Sequence, residues 1–127
     1  MKRQTAEDLL ILAKKHLETV QTSWDPVDWG DLSHYGLYCL EAAIKAAAIK
    51  LGWNIKPSHY DKSKVAERLS KEKGLSDIGD LLWTLNNARK SIAYGDVEMP
   101  ELDPEDIVIQ IEDYVEAIES LINQKEW

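Results

Sequence analysis

Apolar residues recur every three or four positions along most of this chain, and strand-like alternation never lasts more than a few residues. A period near 3.6 gathers the apolar positions on one face of a helix. Thr5-Ala6-Glu7-Asp8 opens the first such segment. It has the form of a capping box, with Asp8 in place of the usual Glu or Gln. Ala6, Leu10, Ala13, Leu17 and Val20 continue it. The stretch SWDPVDWGDLSHYG reads as a loop whose Trp24 and Trp29 fold back over the bundle. A second helix is expected from about Ser33 to Leu51, with Leu37, Leu40, Ile44, Ala47 and Leu51 as its stripe and Gly52 as its stop. Ala42, Ala43, Ala46 and Ala48 keep the rest of that helix narrow. Close packing on several neighbours, or on a second subunit, requires such a surface.

After the connector WNIKPSHYDKS, the stretch DKSKVAERLSKEKG predicts a short polar helix ending at Gly74. The next helix starts with Ser76 as the expected N-cap. It carries Ile78, Leu82, Leu85, Arg89 and Ile92 on one line and closes at Gly95. VEMPELD is a loop. Asp103 then caps a final helix with Pro104 at its first position, and Ile107, Ile111, Tyr114, Ile118 and Leu121 form its stripe. The expectation is one all-α domain over residues 1–127: an up-and-down helical bundle of four long helices plus one short helix.

Composition narrows the class. With 127 residues, 44% apolar and 30% charged, the chain is long enough to bury a core. No apolar run approaches the roughly 18 residues of a membrane span. The N-terminus has charges but no apolar signal core. Cys39 is the single cysteine, which excludes an intramolecular disulfide. Together these features predict a cytoplasmic protein without a membrane partner. Charge is unevenly distributed. Residues 1–95 hold 14 Lys and Arg against 12 Asp and Glu, whereas residues 96–127 hold one Lys against 11 acids. Such acidity disfavours a large interface that works by neutralising nucleic-acid phosphates, though it leaves room for a small local site.

Few residues offer chemistry. His16, His34 and His59 are too scattered for a metal motif, and there is no glycine-rich phosphate loop, so no cofactor is expected. Cys39, within LYCLEAA, reads as a buried structural cysteine. Arg89 interrupts an apolar line. It is either a helix arginine whose stem snorkels near a C-terminus or an anion contact in a cleft. Glu41 lies in the alanine-rich helix. On a wet face it would pair with Lys45; on a buried one it needs another partner, for which Arg89 is a candidate. His59 reads as a capping or loop histidine. Tyr94 reads as a core residue with its hydroxyl at the edge, and its ordinary pKa near 10 makes it a poor base.

Taken in order, LYCLEAAIKAAAIKLGW, SHYDKSKVAERL and LNNARKSIAYGD resemble the signature regions of the HEPN domain superfamily over roughly residues 5–122. Glu41 matches the acidic position of the second helix, His59 the histidine that opens the next region, and Arg89 the arginine of the later helix. The resemblance implies a compact helical bundle that forms a homodimer. In active members an arginine and a histidine four to six residues later line a cleft at the dimer interface and cut RNA without metal. Here the chain departs from that pattern, because Tyr94, Gly95 and Asp96 stand where the histidine is expected.

Three readings follow from the resemblance. One is a non-catalytic or weakly catalytic module that binds a nucleotide, RNA or a partner protein, with Arg89 and Glu41 at its cleft. Another is a metal-independent endoribonuclease toxin of a toxin–antitoxin pair. It would use Arg89, with Tyr94, Asp96 or His59 replacing the histidine. The last is an antitoxin or scaffold whose acidic final helix docks on a basic surface, for example that of a nucleotidyltransferase partner.

Overall fold

A computed structural model describes residues 4–93 and 101–124. Five helices follow in order: α1 (Ala6–Gln21), α2 (Trp29–Leu51), α3 (His59–Lys73), α4 (Gly79–Ala93) and α5 (Pro104–Ile122). Among the described residues there is no strand beyond a single Trp24–Val27 bridge. The architecture is all-α. No helix of the described residues is long and apolar enough to cross a membrane.

Local chemistry sets the helix ends. Thr5 accepts from the Asp8 backbone N–H while the Asp8 carboxylate accepts from the Thr5 N–H, closing the capping box. Asp103 accepts from the backbone N–H groups of Glu105 and Asp106, with Pro104 at the first helical position. Gly52 and Gly74 close α2 and α3 in the left-handed conformation, where a Cβ would be strained.

Three boundaries differ from the sequence expectation. α2 begins at Trp29, four residues before Ser33, because Asp28 caps it by accepting from the Asp31 N–H. α3 begins at His59, capped by Ser58, and runs 15 residues, as many as α4 has as far as Ala93. Ser76 does not cap α4; the Asp77 carboxylate accepts from the Gly79 N–H at its start instead. The expected close at Gly95 lies outside the described residues.

α2 is the central helix. It packs against α1, α3, α4 and α5, while α1 also meets α5 and α3 meets α4. Its centre is wholly enclosed: Leu40, Ala43, Ile44, Ala46, Ala47 and Ala48 have no exposed surface. The alanines are therefore covered within the single chain and do not present a free face to a second subunit, which corrects one use suggested for them by the sequence. At Gly36 the side chains of α4 and α5 come close to α2, since a Cβ there would lie 3.1 Å from Ile111 Cδ1 and 3.5 Å from Leu85 Cδ1. Trp29 is buried in the same core and Trp24 packs on its edge, as expected of the loop. At the rim, Lys14 pairs with Glu119 and Gln21 donates to Glu112 at 2.8 Å, tying α1 to α5.

The Tyr114 hydroxyl is buried without a hydrogen-bond partner among the described residues. Burial raises its pKa, with the Asp77 charge adding to the shift. A buried hydroxyl with no partner stabilises nothing. Tyr114→Phe should therefore leave the urea midpoint unchanged or slightly raised. A loss above about 1 kcal/mol would show that the hydroxyl is bonded in solution.

Candidate functional site

A cleft of about 560 Å³ opens between α2, α3 and the first half of α4. The volume lies within the range of about 300–1,000 Å³ usual for small-ligand pockets. Leu37 and Glu41 from α2 form part of its lining, with His59, Tyr60 and Lys62 from α3 and Asp80, Trp83 and Asn86 from α4.

Glu41 is the group hardest to account for by packing. It is 7% exposed on an otherwise apolar helix face. A carboxylate in that position needs partners. α3 supplies both of them from its first turn. His59 Nδ1 meets Glu41 Oε2, and Lys62 Nζ stands 3.7 Å from Glu41 Oε1. The Ser58 cap starts α3 at His59 and so places His59 and Lys62, three residues apart, on the side facing α2. The ion pairs thus dock the start of α3 onto the centre of α2.

The pairing differs from both sequence expectations. Lys45 does not reach Glu41; its ammonium donates to the Gln4 side chain at 3.3 Å. Nor does Arg89 reach it. Arg89 Nη2 donates to Asn86 Oδ1 at 2.8 Å, and Arg89 Nε is buried with no partner among the described residues. Arg89 therefore stands behind the cleft lining, joined to it through Asn86. Tyr94 and Asp96 lie outside the described residues. The structure brings Glu41 and His59 together and links Arg89 to the same cleft.

Sequence reasoning missed Lys62, Asn86 and Trp83. Lys62 carried a signal, since it follows His59 by three residues. Trp83 carried only a weak one: it lies off the apolar line of α4, yet a tryptophan is ordinarily assigned to the core.

The chemistry open to this site is limited and specific. With Nδ1 on Glu41, the half-exposed His59 ring keeps Nε2 free to donate or accept a proton or a hydrogen bond. Lys62 and Arg89 supply fixed positive charge. Cys39 takes no part. Its thiol is fully buried, donates to Ala13 O at 3.2 Å, and is pushed up to about 12 by burial. A thiolate nucleophile is thereby excluded at neutral pH. Among the described residues, no group of three or more His, Cys, Asp or Glu side chains is placed to hold a metal ion.

A smaller hollow of about 320 Å³ lies on the other side of Glu41, lined in part by His16, Tyr38 and Lys45. Burial, with Lys15 adding, lowers the pKa of His16, so this hollow holds a neutral imidazole at pH 7.

No curated protein and no solved structure matches the chain. The family model of the HEPN domain matches residues 3–125, nearly its whole length, in agreement with the five-helix architecture. The chain belongs to the HEPN domain family.

Proposed function

We propose that this protein is a nucleotide- or RNA-binding helical module with little or no nuclease activity, and that its ligand enters the cleft beside Glu41, His59 and Lys62. One observation carries the reading: a cleft of nucleotide size combines a fixed cation, Lys62, with exposed aromatic rings, and Arg89 stands behind it through Asn86. HEPN domains are linked to RNA-cleaving toxins and to nucleotide-related functions, and they commonly dimerise. A homodimer of this chain is part of the proposal.

Arg89 supplies the phosphate contact in this reading, presented at the cleft through Asn86. Phosphate would replace part of the Asn86 contact and meet the buried guanidinium edge. Strong catalysis is not expected. A chain with Tyr94, Gly95 and Asp96 at the usual histidine position lacks the family's proton-transfer group, and losing such a group lowers rate about a hundredfold to ten-thousandfold.

The Glu41–His59 pair favours a second reading, a metal-independent ribonuclease in which His59 replaces that histidine. A carboxylate-held imidazole with a free Nε2 is a competent proton acceptor. A toxin–antitoxin or nucleotidyltransferase partnership fits either reading, and the acidic residues of α5 offer a surface for a basic partner.

Labelled short RNA, incubated with the protein in EDTA, separates these readings. Binding should weaken about tenfold or more in Arg89→Ala, as expected for loss of a charge-assisted contact, with no cleavage by either protein. Cleavage by the wild type that disappears in both Arg89→Ala and His59→Ala would establish the nuclease instead. RNA and mononucleotides that fail to bind at all would refute the module.

A further inference from the structure

We infer that the two exposed aromatic rings of the cleft, Trp83 and Tyr60, form a nucleobase-stacking site in which Asp80 selects bases that present adjacent N–H donors, guanine above all. The inference rests on the nucleotide reading above and deepens it by assigning the base end of the ligand.

Tryptophan use in this chain points to Trp83. Trp29 is buried, Trp24 packs on the core, and Trp53 packs on it beneath the Arg68 guanidinium, 3.8 Å from the ring centroid. Trp83 is instead 70% exposed, and α4 fills the core without it through Leu81, Leu82, Leu85 and Ala88. Tyr60, on α3, is also 70% exposed. Both rings line the same cleft although they come from different helices. Every nucleobase has a π-face, and stacking on such rings does not depend on sequence.

The lining around Trp83 is spaced along α4. Asp80, Trp83 and Asn86 follow one another at three-residue intervals and all line the cleft. Arg89 comes at the next interval and is bonded to Asn86. At 1.5 Å of rise per residue, Trp83 and Arg89 are about 9 Å apart along the axis. Around the axis they differ by about 120°, so Arg89 reaches the cleft only through Asn86, and the phosphate contact lies beyond the aromatic face in the order of a nucleotide.

Asp80 sets the preference. An ionised carboxylate only accepts hydrogen bonds. Guanine presents N1–H and the N2 amino group side by side and satisfies both oxygens. Uracil presents one N–H between two carbonyls, which the carboxylate repels. The guanine nucleotide is either free or the end of an RNA strand, since both offer the same base, ribose and phosphate.

Calorimetric titration of the full chain with GMP, UMP, ribose 5-phosphate and a short RNA ending in guanosine tests the site. Trp83 is largely exposed, so Trp83→Leu should keep the wild-type melting temperature. GMP should bind at least about tenfold more tightly than ribose 5-phosphate, and Trp83→Leu should remove that advantage while leaving ribose 5-phosphate binding unchanged. Asp80→Asn should narrow the gap between GMP and UMP. An RNA end that binds more tightly than GMP, and loses the same factor in Trp83→Leu, identifies RNA as the source; equal affinities identify the free nucleotide. Equal binding of GMP and ribose 5-phosphate, unaffected by Trp83→Leu, would overturn the stacking site and leave the phosphate contact standing. No binding of any ligand by the wild type would overturn both. A Trp83→Leu protein that loses its dimer but keeps its GMP affinity would also overturn the site, by assigning the ring to a subunit interface.

Discussion

Ile44→Ala should destabilise the protein by about 3 kcal/mol, within the range of 2–5 kcal/mol found for large-to-small changes in packed cores. Ile44 sits at the middle of α2, the helix that touches all four others, and has no exposed surface. Two losses combine there. The removed methyl and methylene groups lose their apolar environment, and the cavity left behind cannot close easily. Its helix neighbours are Ala43, Ala47 and Ala48, whose side chains are too short to move into the space. For a domain of this size the change corresponds to roughly 10 °C in Tm. Ile49→Ala is the matching control, since Ile49 is 37% exposed on the same helix and its loss should cost about 1 kcal/mol, well below that of Ile44→Ala. Similar midpoints for the two variants would show that α2 is not the centre of the core.

The second large effect is expected at Glu41. Removing both of its partners in His59→Ala/Lys62→Ala should cost about 3 kcal/mol, the lower end of the range for leaving a buried charge uncompensated. The single variants should divide this unequally. His59 is 49% exposed at its side chain, so its pairing is screened and its loss should cost no more than about 1 kcal/mol. Lys62 is only 17% exposed and should carry the larger share. Adding Glu41→Leu to the double variant should restore most of the lost stability, because well-packed apolar groups often match or exceed a buried ion pair. Urea midpoints for the wild type and the four variants suffice. A double variant as stable as the wild type would show that solvent in the cleft already satisfies the carboxylate.

The readable parts of the sequence were those governed by neighbours along the chain. The capping box at Thr5 and Asp8, the Asp103–Pro104 start and the Gly52 and Gly74 stops act within one helical turn, and each stands where expected. Asp28 was obscured because WDPVDWG reads as a loop throughout, and the cap it supplies to Asp31 follows directly on that loop. Asp77 displaced Ser76 as the residue meeting the start of α4, a choice between two adjacent side chains that periodicity does not make.

The site was less legible because its contacts are not local. Glu41 has Lys45 one turn away, and spacing favours that pair. The actual partners come from a helix 18 residues further along for His59. Only the docking of α3 on α2 decides between them. The tryptophans expected to fold over the bundle do pack on it, but two tryptophans take places that spacing did not give. Trp29, expected in a loop, opens the central helix and is buried, while Trp83, inside a helix, faces the cleft. Arg89 interrupts an apolar line in the sequence, and its link to Asn86 depends on how far its side chain turns, which spacing does not set.

The most direct measurement is a titration of the ¹⁵N-labelled protein with GMP, followed by two-dimensional NMR of backbone and side-chain resonances. Binding in the cleft should move one contiguous set: the Trp83 indole N–H, the Asn86 side-chain amide, the Arg89 Nε–H, and the backbone amides of His59, Tyr60 and Lys62. The resonances of α5 and of the outer face of α1 should stay in place. Shifts confined to α5 or α1, or no shifts at millimolar nucleotide, would contradict the assignment of this cleft as the binding site.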